Sequence, residues 1–480
     1  MKNVYLYIDG QVVKSVEGKT FSTYNPATGE LVAQVEKSSR KDAQLAIESA
    51  NRAKEKFAQL TVWDRSKLLR RIADKVESRK EEIARAITLE QGKPYYQESL
   101  REVELAAEGF ANASEQIKWF ETSVITVKDP TKRVWTIRQP KGVYGVITPW
   151  NVPVNIPVEY IAPGLATGNT IVWLPAPSVS YCTSKLMECI IEADIPRGVV
   201  NFLTGPGEEA GDEIVINPMV DAIGFTGSTQ VGNIIAKQGY KKTMVLELGG
   251  NGPTVIFEDA KITEKEIKSI GSACFMNAGQ VCAATGRILV HESRAFEITS
   301  GLVEYAKNII IGDPFSPETT MGPMHNEIIC KKMDAHIKDA VEKGAKIEIG
   351  GKRKEGFDTN LFYEPTVLSN VDGDALVNCE ETFGPIVPIL TFSSVNELKE
   401  FINKSSAGLT SAVFTSDISR AFKFAENIKT GIVNINDKST YWELHIPFGG
   451  VSGRESGKGK LGGKKILEEM TDLKVITMTI

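Results

Sequence analysis

Gly142-Val143-Tyr144-Gly145-Val146-Ile147-Thr148 reads as a buried strand, and it runs straight into the turn Pro149-Trp150-Asn151. From there the apolar spacing switches back and forth between strand and helix. It predicts helices over Val158–Leu165, Ser180–Glu192, Glu208–Ile216 and Thr229–Lys237. It predicts strands over Thr170–Leu174, Val199–Leu203, Ala222–Phe225 and Thr243–Glu247. Such alternation is the mark of βαβ units closing into a parallel sheet. A second series begins near Thr254. Its strands are expected at Arg287–Val290, Lys346–Ile349, Pro388–Phe392, Ser411–Phe414 and Ile432–Ile435. Its helices are expected at Arg294–Ile309, Glu327–Lys343, Val395–Asn403 and Ile418–Asn427. The fold class is α/β.

Upstream, Val4–Val13 reads as a hairpin about Asp9-Gly10, and Leu31–Val35 as a strand after the turn Tyr24–Gly29. Lys41–Phe57, Asp64–Leu89 and Gln97–Phe120 carry apolar residues at three- and four-residue spacing and read as helices. Ser123–Val127 and Arg133–Gln139 read as two strands, and the tail Leu473–Ile480 alternates like a third.

A chain of 480 residues is too long for one ordinary core, so more than one domain is expected. Its 56 basic and 61 acidic residues give a net charge of −5, which offers nucleic acid no general attraction. The densest basic stretch (Arg454, Lys458, Lys460, Lys464 and Lys465) is glycine-rich and reads as a solvated loop and helix start. No run approaches the ~20 apolar residues of a membrane span. The beginning of the chain does not resemble a secretory signal, so a cytosolic protein is expected. Cysteines at 182, 189, 274, 282, 330 and 379 form no close pair, and His291, His325, His336 and His445 are scattered. Neither a disulfide framework nor a metal site is expected.

Three residues stand out chemically. Cys282 lies in Asn277-Ala278-Gly279-Gln280-Val281-Cys282-Ala283-Ala284-Thr285-Gly286, where small neighbours let a ligand approach a thiol closely. The bland reading is a buried structural cysteine. Glu247 ends an apolar strand and precedes Leu248-Gly249-Gly250, a place where α/β proteins put catalytic groups, although a solvated strand end has the same appearance. Asn151 is either turn chemistry or an amide donor to a developing oxyanion. Two loops are candidates for phosphate. Gly205-Pro206-Gly207-Glu208-Glu209-Ala210-Gly211 misses the G-x-G-x-x-G spacing by one residue. Gly224-Phe225-Thr226-Gly227-Ser228-Thr229-Gln230-Val231-Gly232 follows a strand and opens a helix whose first N–H groups suit a pyrophosphate. Ordinary helix capping gives the same letters.

Taken together, Thr148-Pro149-Trp150-Asn151, Phe225-Thr226-Gly227-Ser228-Thr229, Leu246-Glu247-Leu248-Gly249-Gly250-Asn251, Asn277–Cys282, Glu381-Thr382-Phe383-Gly384-Pro385 and Pro447-Phe448-Gly449-Gly450 resemble the aldehyde dehydrogenase superfamily over nearly the whole chain. The resemblance implies a Rossmann-like cofactor domain (1–121 and 141–248), an α/β catalytic domain (249–450) and a small β oligomerisation element (122–140 and 468–480) serving a homodimer or homotetramer. It implies Cys282 as nucleophile, Glu247 as general base, and Asn151 with the Cys282 N–H as oxyanion hole. Trp150, Gly207, Gly227, Ser228, Gly232, Leu248, Glu381 and Phe383 would contact NAD or NADP. The implied reaction oxidises a small-molecule aldehyde to an acid through a thiohemiacetal and a thioester. A CoA-acylating relative and an inactive binding protein on the same scaffold are the alternatives.

The chain departs from many relatives at two places. Leu174 and Pro177 stand where a lysine and a glutamate commonly meet the adenosine ribose, which leaves NAD against NADP open. Val152, Ile156, Glu159, Val281, Ala283, Trp442 and Phe448 are expected near the substrate funnel. Glu159 would disfavour acidic aldehydes there, which points to a small neutral or hydroxylated substrate. The bland alternative has Glu159 facing solvent or a subunit contact.

Overall fold

The computed structural model describes residues 2–480. Two large sheets dominate. In the first, the order is Gly457–Lys458, Thr243–Glu247, Ala222–Thr226, Val143–Thr148, Thr170–Pro175, Val200–Phe202, Leu6–Ile8, Gln11–Val13. Its five central strands are parallel, and the added edge strands are antiparallel. Starting from Val143–Thr148 the chain builds outward to Val200–Phe202, then returns to lay Ala222–Thr226 on the other side of the starting strand. Strand order therefore reverses beside Val143–Thr148, and the carboxyl ends at such a switch point form a crevice. Thr148-Pro149-Trp150-Asn151, Gly227-Ser228 and Glu247-Leu248 all lie at or just beyond those ends.

The second sheet runs Lys346–Ile349, Thr366–Ser369, Ile386–Phe392, Thr285–His291, Gly252–Ile256, Thr410–Phe414, Ile432–Ile435 and is parallel except at its first edge. A third sheet pairs Thr471–Thr479 antiparallel with Lys132–Pro140 along nine residues, with Val124–Ile125 on the far side. A small sheet of Lys2–Val4, Leu31–Glu36 and Thr20–Tyr24 stands apart. The expected Asp9-Gly10 hairpin forms with both residues at positive φ, 52° and 78°.

Several helices end elsewhere than periodicity suggests. Asp64–Leu89 is two helices, Val62–Ser78 and Lys80–Gln91, broken at Arg79. The Arg79 backbone leaves helical geometry, and its guanidinium reaches Glu82 and Glu192 at 2.8–2.9 Å. Gln97–Phe120 opens as a wide π turn, Tyr95–Ser99, after Pro94, before the α-helix Leu100–Gln116. Glu208–Ile216 likewise opens as a π turn, Gly207–Gly211, before Asp212–Ile216. The helix Glu264–Phe275, opened by a Thr263/Glu266 capping box, and the strand Thr366–Ser369 are additions to the sequence reading. No described helix is long and apolar enough to cross a membrane.

Trp173 shows how the core supports the crevice. It is fully buried in the Thr170–Pro175 strand. Its Nε1 donates to Thr148 Oγ1 at 3.0 Å, and its ring meets Phe202 edge-on at 5.0 Å. Trp173→Ala deletes that packing and the bond to the strand end before Asn151. It is expected to lower unfolding free energy by about 3–5 kcal/mol in urea titrations.

Candidate active site

One cavity of about 340 Å³ is lined by Asn151, Glu247 and Cys282 together. The three come from separate elements. Asn151 lies in the turn after Val143–Thr148, Glu247 ends its strand, and Cys282 follows the short Met276–Gly279 turn. That turn holds Asn277, Ala278 and Gly279 all at positive φ (49°, 53° and 72°), a strained run for residues that carry a side chain. Neighbours fix it. Asn277 N donates to Glu98 Oε1 at 2.8 Å, Asn277 Nδ2 donates to the Asn151 carbonyl at 3.0 Å, and Gln91 Nε2 donates to Asn277 Oδ1 at 3.1 Å. Gly250 must lack a side chain because a Cβ there would stand 2.1 Å from the Cys282 carbonyl oxygen.

Asn151 is 5% exposed and donates through Nδ2 to the Gln280 carbonyl at 3.0 Å. Its own carbonyl also accepts from Lys93 Nζ at 2.9 Å. Lys93 pairs at 2.5 Å with Glu102, both side chains being 4% exposed. The other Glu102 oxygen accepts from Val154 N at 2.7 Å and Asn155 N at 3.3 Å. Lys93, Gln97, Glu98, Arg101, Glu102 and Leu105 all line the cavity, and none was singled out from the sequence. The break Gly92-Lys93-Pro94 between two helical stretches was the available signal.

Glu247 is 2% exposed, and neither carboxylate oxygen has a hydrogen-bond partner among the described residues. Burial holds its pKa well above the usual carboxylate range; Lys460 opposes this and Glu159 adds to it. Burial also raises the Cys282 thiol, and the nearby charges of Glu381, Glu247 and Glu159 push the same way. A buried, unpaired carboxylate beside a thiol in a cleft is costly for stability alone and typical of chemistry. Val152, Ile156, Glu159, Val281, Ala283, Trp442 and Phe448 line the same cavity. Glu159 therefore faces the cavity, where burial lifts it to about 8.

The dinucleotide candidates are dispersed around the switch point. Ser228 caps the helix Thr229–Gln238, accepting from Val231 N at 3.3 Å, and leaves a free helix N-terminus suited to phosphate. Gly207 is exposed, and a Cβ there would meet nothing within 4 Å. Gly232 and Leu248 are buried against one another, with a Gly232 Cβ placed 2.3 Å from Leu248. Trp150 stacks on His325 at 4.4 Å and meets Phe383 edge-on at 5.7 Å. Phe383 has a φ of 62°. Glu381 accepts from Gly250 N at 2.9 Å through one oxygen, and burial raises it to about 7. An open glycine loop, a free helix N-terminus and a carboxylate with one oxygen uncommitted fit a dinucleotide. Leu174 is buried, packed beneath Gly211. Ser178, one residue past Pro177, meets His325 Nε2 at 2.7 Å. Burial holds His325 down at about 4. Among the described residues no His, Cys, Asp or Glu group is arranged to hold a metal ion.

A parallel sheet with a switch-point crevice, joined to a second α/β unit that brings a thiol to its mouth, defines a dinucleotide-dependent oxidoreductase. The aldehyde dehydrogenase family profile matches residues 12–476. The chain is 37% identical over 478 residues to a lactaldehyde dehydrogenase of Methanocaldococcus jannaschii, covering 99% of this chain and 100% of the relative. A crystal structure of an NADP-dependent enzyme from E. coli superposes with a TM-score of 0.96 at 33% identity, covering 100% of this chain and 98% of the other. A point mutant of betaine aldehyde dehydrogenase from Staphylococcus aureus, solved with NAD+, gives a TM-score of 0.94 at 34% identity, covering 99% of this chain and 97% of the other. The chain belongs to the aldehyde dehydrogenase family, and it oxidises aldehydes with NAD or NADP.

Lys93→Met leaves the Glu102 carboxylate buried and uncompensated. Such single-partner losses cost about 3–5 kcal/mol, and chemical denaturation is expected to show a drop of that size.

Proposed function

We propose that Cys282 is the nucleophile, Glu247 the general base, and Asn151 Nδ2 with the Cys282 N–H the oxyanion hole for a small, neutral or hydroxylated aldehyde. The observation that supports this most is the shared cavity, in which the thiol, the amide and a carboxylate without partners all face the same space. Cys282 Sγ bonds to the aldehyde carbon as its proton leaves to solvent. The carbonyl oxygen takes the negative charge, and Asn151, already anchored through its backbone oxygen, holds it without reorganising. What a bound nicotinamide supplies is an acceptor for the hydride on that carbon. Once the hydride has gone, Cys282 carries a thioester. Glu247, ionised, removes a proton from water, whose oxygen attacks the thioester carbon. The C–S bond breaks, and the acid and a free thiol remain.

Trp150, Gly207, Gly227, Ser228, Gly232, Leu248, Glu381 and Phe383 are assigned to the dinucleotide. Residues 1–121 with 141–248 form the cofactor domain, 249–450 the catalytic domain, and 122–140 with 468–480 the assembly element of a homodimer or homotetramer in the cytosol. The exposed apolar side chains Val124, Leu473 and Val475 on the third sheet favour that assembly role.

Cys282→Ala is expected to abolish NAD(P)H formation from aldehyde. Glu247→Gln is expected to keep a pre-steady-state burst of about one NAD(P)H per site while steady turnover falls by roughly 10²-fold or more, the usual scale of lost general-base catalysis. Stopped-flow absorbance at 340 nm, a wavelength set by the reduced cofactor, separates the two. Equal loss of burst and turnover contradicts the deacylation role. Turnover of the unmutated protein is expected to rise with pH beyond the normal carboxylate range, because burial holds the Glu247 proton on.

A further inference from the structure

Asn155 and Glu159 stand one turn apart on the helix Asn155–Thr167, and both line the cavity that holds Cys282. Asn155 Nδ2 donates to Glu159 Oε1 at 3.0 Å. Asn155 is 5% exposed, yet its Oδ1 has no partner among the described residues. An amide oxygen buried in this way lacks the donor that native structures almost always supply. Two of the nearby donors are committed elsewhere. Lys93 Nζ goes to Glu102 and to the Asn151 carbonyl, and Trp442 Nε1 goes to the Ile446 carbonyl at 2.8 Å. Arg101, at the cavity's edge and exposed, turns its Nη1 to Glu104 at 3.1 Å and Glu108 at 3.2 Å. Asn155 Oδ1 is thus a buried acceptor facing the cavity with no donor, and a ligand can bring one.

We propose that Asn155 and Glu159 form the specificity element of this enzyme and accept hydrogen bonds from hydroxyl groups on the carbons beside the aldehyde. The substrate class is then a short polyhydroxylated aldehyde. This inference rests on the aldehyde-oxidising reading above and narrows it. A carboxylate on the substrate would bring only acceptors to Asn155 Oδ1, which needs a donor. An ammonium group also brings donors, but concentrates them on one atom. Two acceptors along one helix face, one of them an uncharged amide oxygen, match donors spread over neighbouring carbons better.

The test compares kcat/KM for glyceraldehyde, propanal, 3-aminopropanal and succinate semialdehyde, each corrected to its free carbonyl form. It uses the unmutated protein, Glu159→Leu, Asn155→Leu and the conservative Glu159→Gln. Sites built to bond a hydroxyl discriminate strongly against analogues without it, so glyceraldehyde is expected to exceed propanal by about 10²-fold or more. Glu159→Leu and Asn155→Leu are each expected to cut that ratio about tenfold. Glu159→Gln, which keeps an oxygen in place, is expected to cut it less. The proposal is overturned if glyceraldehyde and propanal perform alike in the unmutated protein. It is equally overturned if neither leucine substitution moves the ratio, or if 3-aminopropanal or succinate semialdehyde is the better substrate. The unmutated ratio decides the matter even where a variant does not fold. Failure to oxidise any of the four with either cofactor sinks the aldehyde reading itself, a result distinct from oxidation without hydroxyl preference.

Discussion

The Lys93–Glu102 ion pair is the constraint under everything else in the site. Two charges removed from water are expensive, and the pair survives because its remaining hydrogen-bonding capacity is used on backbone. Lys93 takes the Asn151 carbonyl, and Glu102 takes the Val154 and Asn155 N–H groups. The turn after the first strand of the parallel sheet is therefore held from beneath by a helical hairpin. Asn277 Nδ2 reaches that same Asn151 carbonyl from the turn Met276–Gly279. A single oxygen atom thereby ties the loop before Cys282 to the turn that carries the amide donor, and the two halves of the site are registered on one another.

Much of this was legible in the order of residues, for physical reasons that differ from place to place. Strands of the parallel sheets are buried on both faces, so they read as apolar runs, and their limits were read to within a few residues. Cys282, Glu247 and Asn151, which the fold brings to one cavity, stood out in the sequence by their small neighbours or by their place at a strand end or turn. Glu159 was legible as an oddity. Lys93 and Glu102 were not, because a charged residue in a helical stretch looks like solvated surface until tertiary contacts bury it. The helix break at Arg79 was also hidden. Periodicity continues across it, and the carboxylates that hold the guanidinium, Glu188 and Glu192, belong to a distant helix. The π turns after Pro94 and Pro206 follow the same logic: proline marks a boundary without saying which kind of turn follows.

The cavity inverts the usual economy of a protein interior. Elsewhere many buried polar groups find partners: Glu90 receives the Tyr181 and Cys182 N–H groups, and Arg287 spreads its donors over Asn251, Asn378, Phe401 and Ile402. Around Cys282, Glu247 and Asn155 are left with oxygens that nothing satisfies. Local preferences in a natural chain agree with one another except where function demands otherwise, and three of the unsatisfied carboxylate and amide oxygens here face one cavity.

The pairing of Thr471–Thr479 with Lys132–Pro140 carries a consequence for how the molecule is made. The two partners are separated by more than three hundred positions, so on a ribosome the earlier strand emerges long before the later one exists. Throughout that interval its backbone edge is open to any other extended chain, including a sibling on the same messenger. Lys132, Arg133 and Arg138 stud that edge with like charge, which discourages one nascent copy from zipping onto the next until its own last strand arrives.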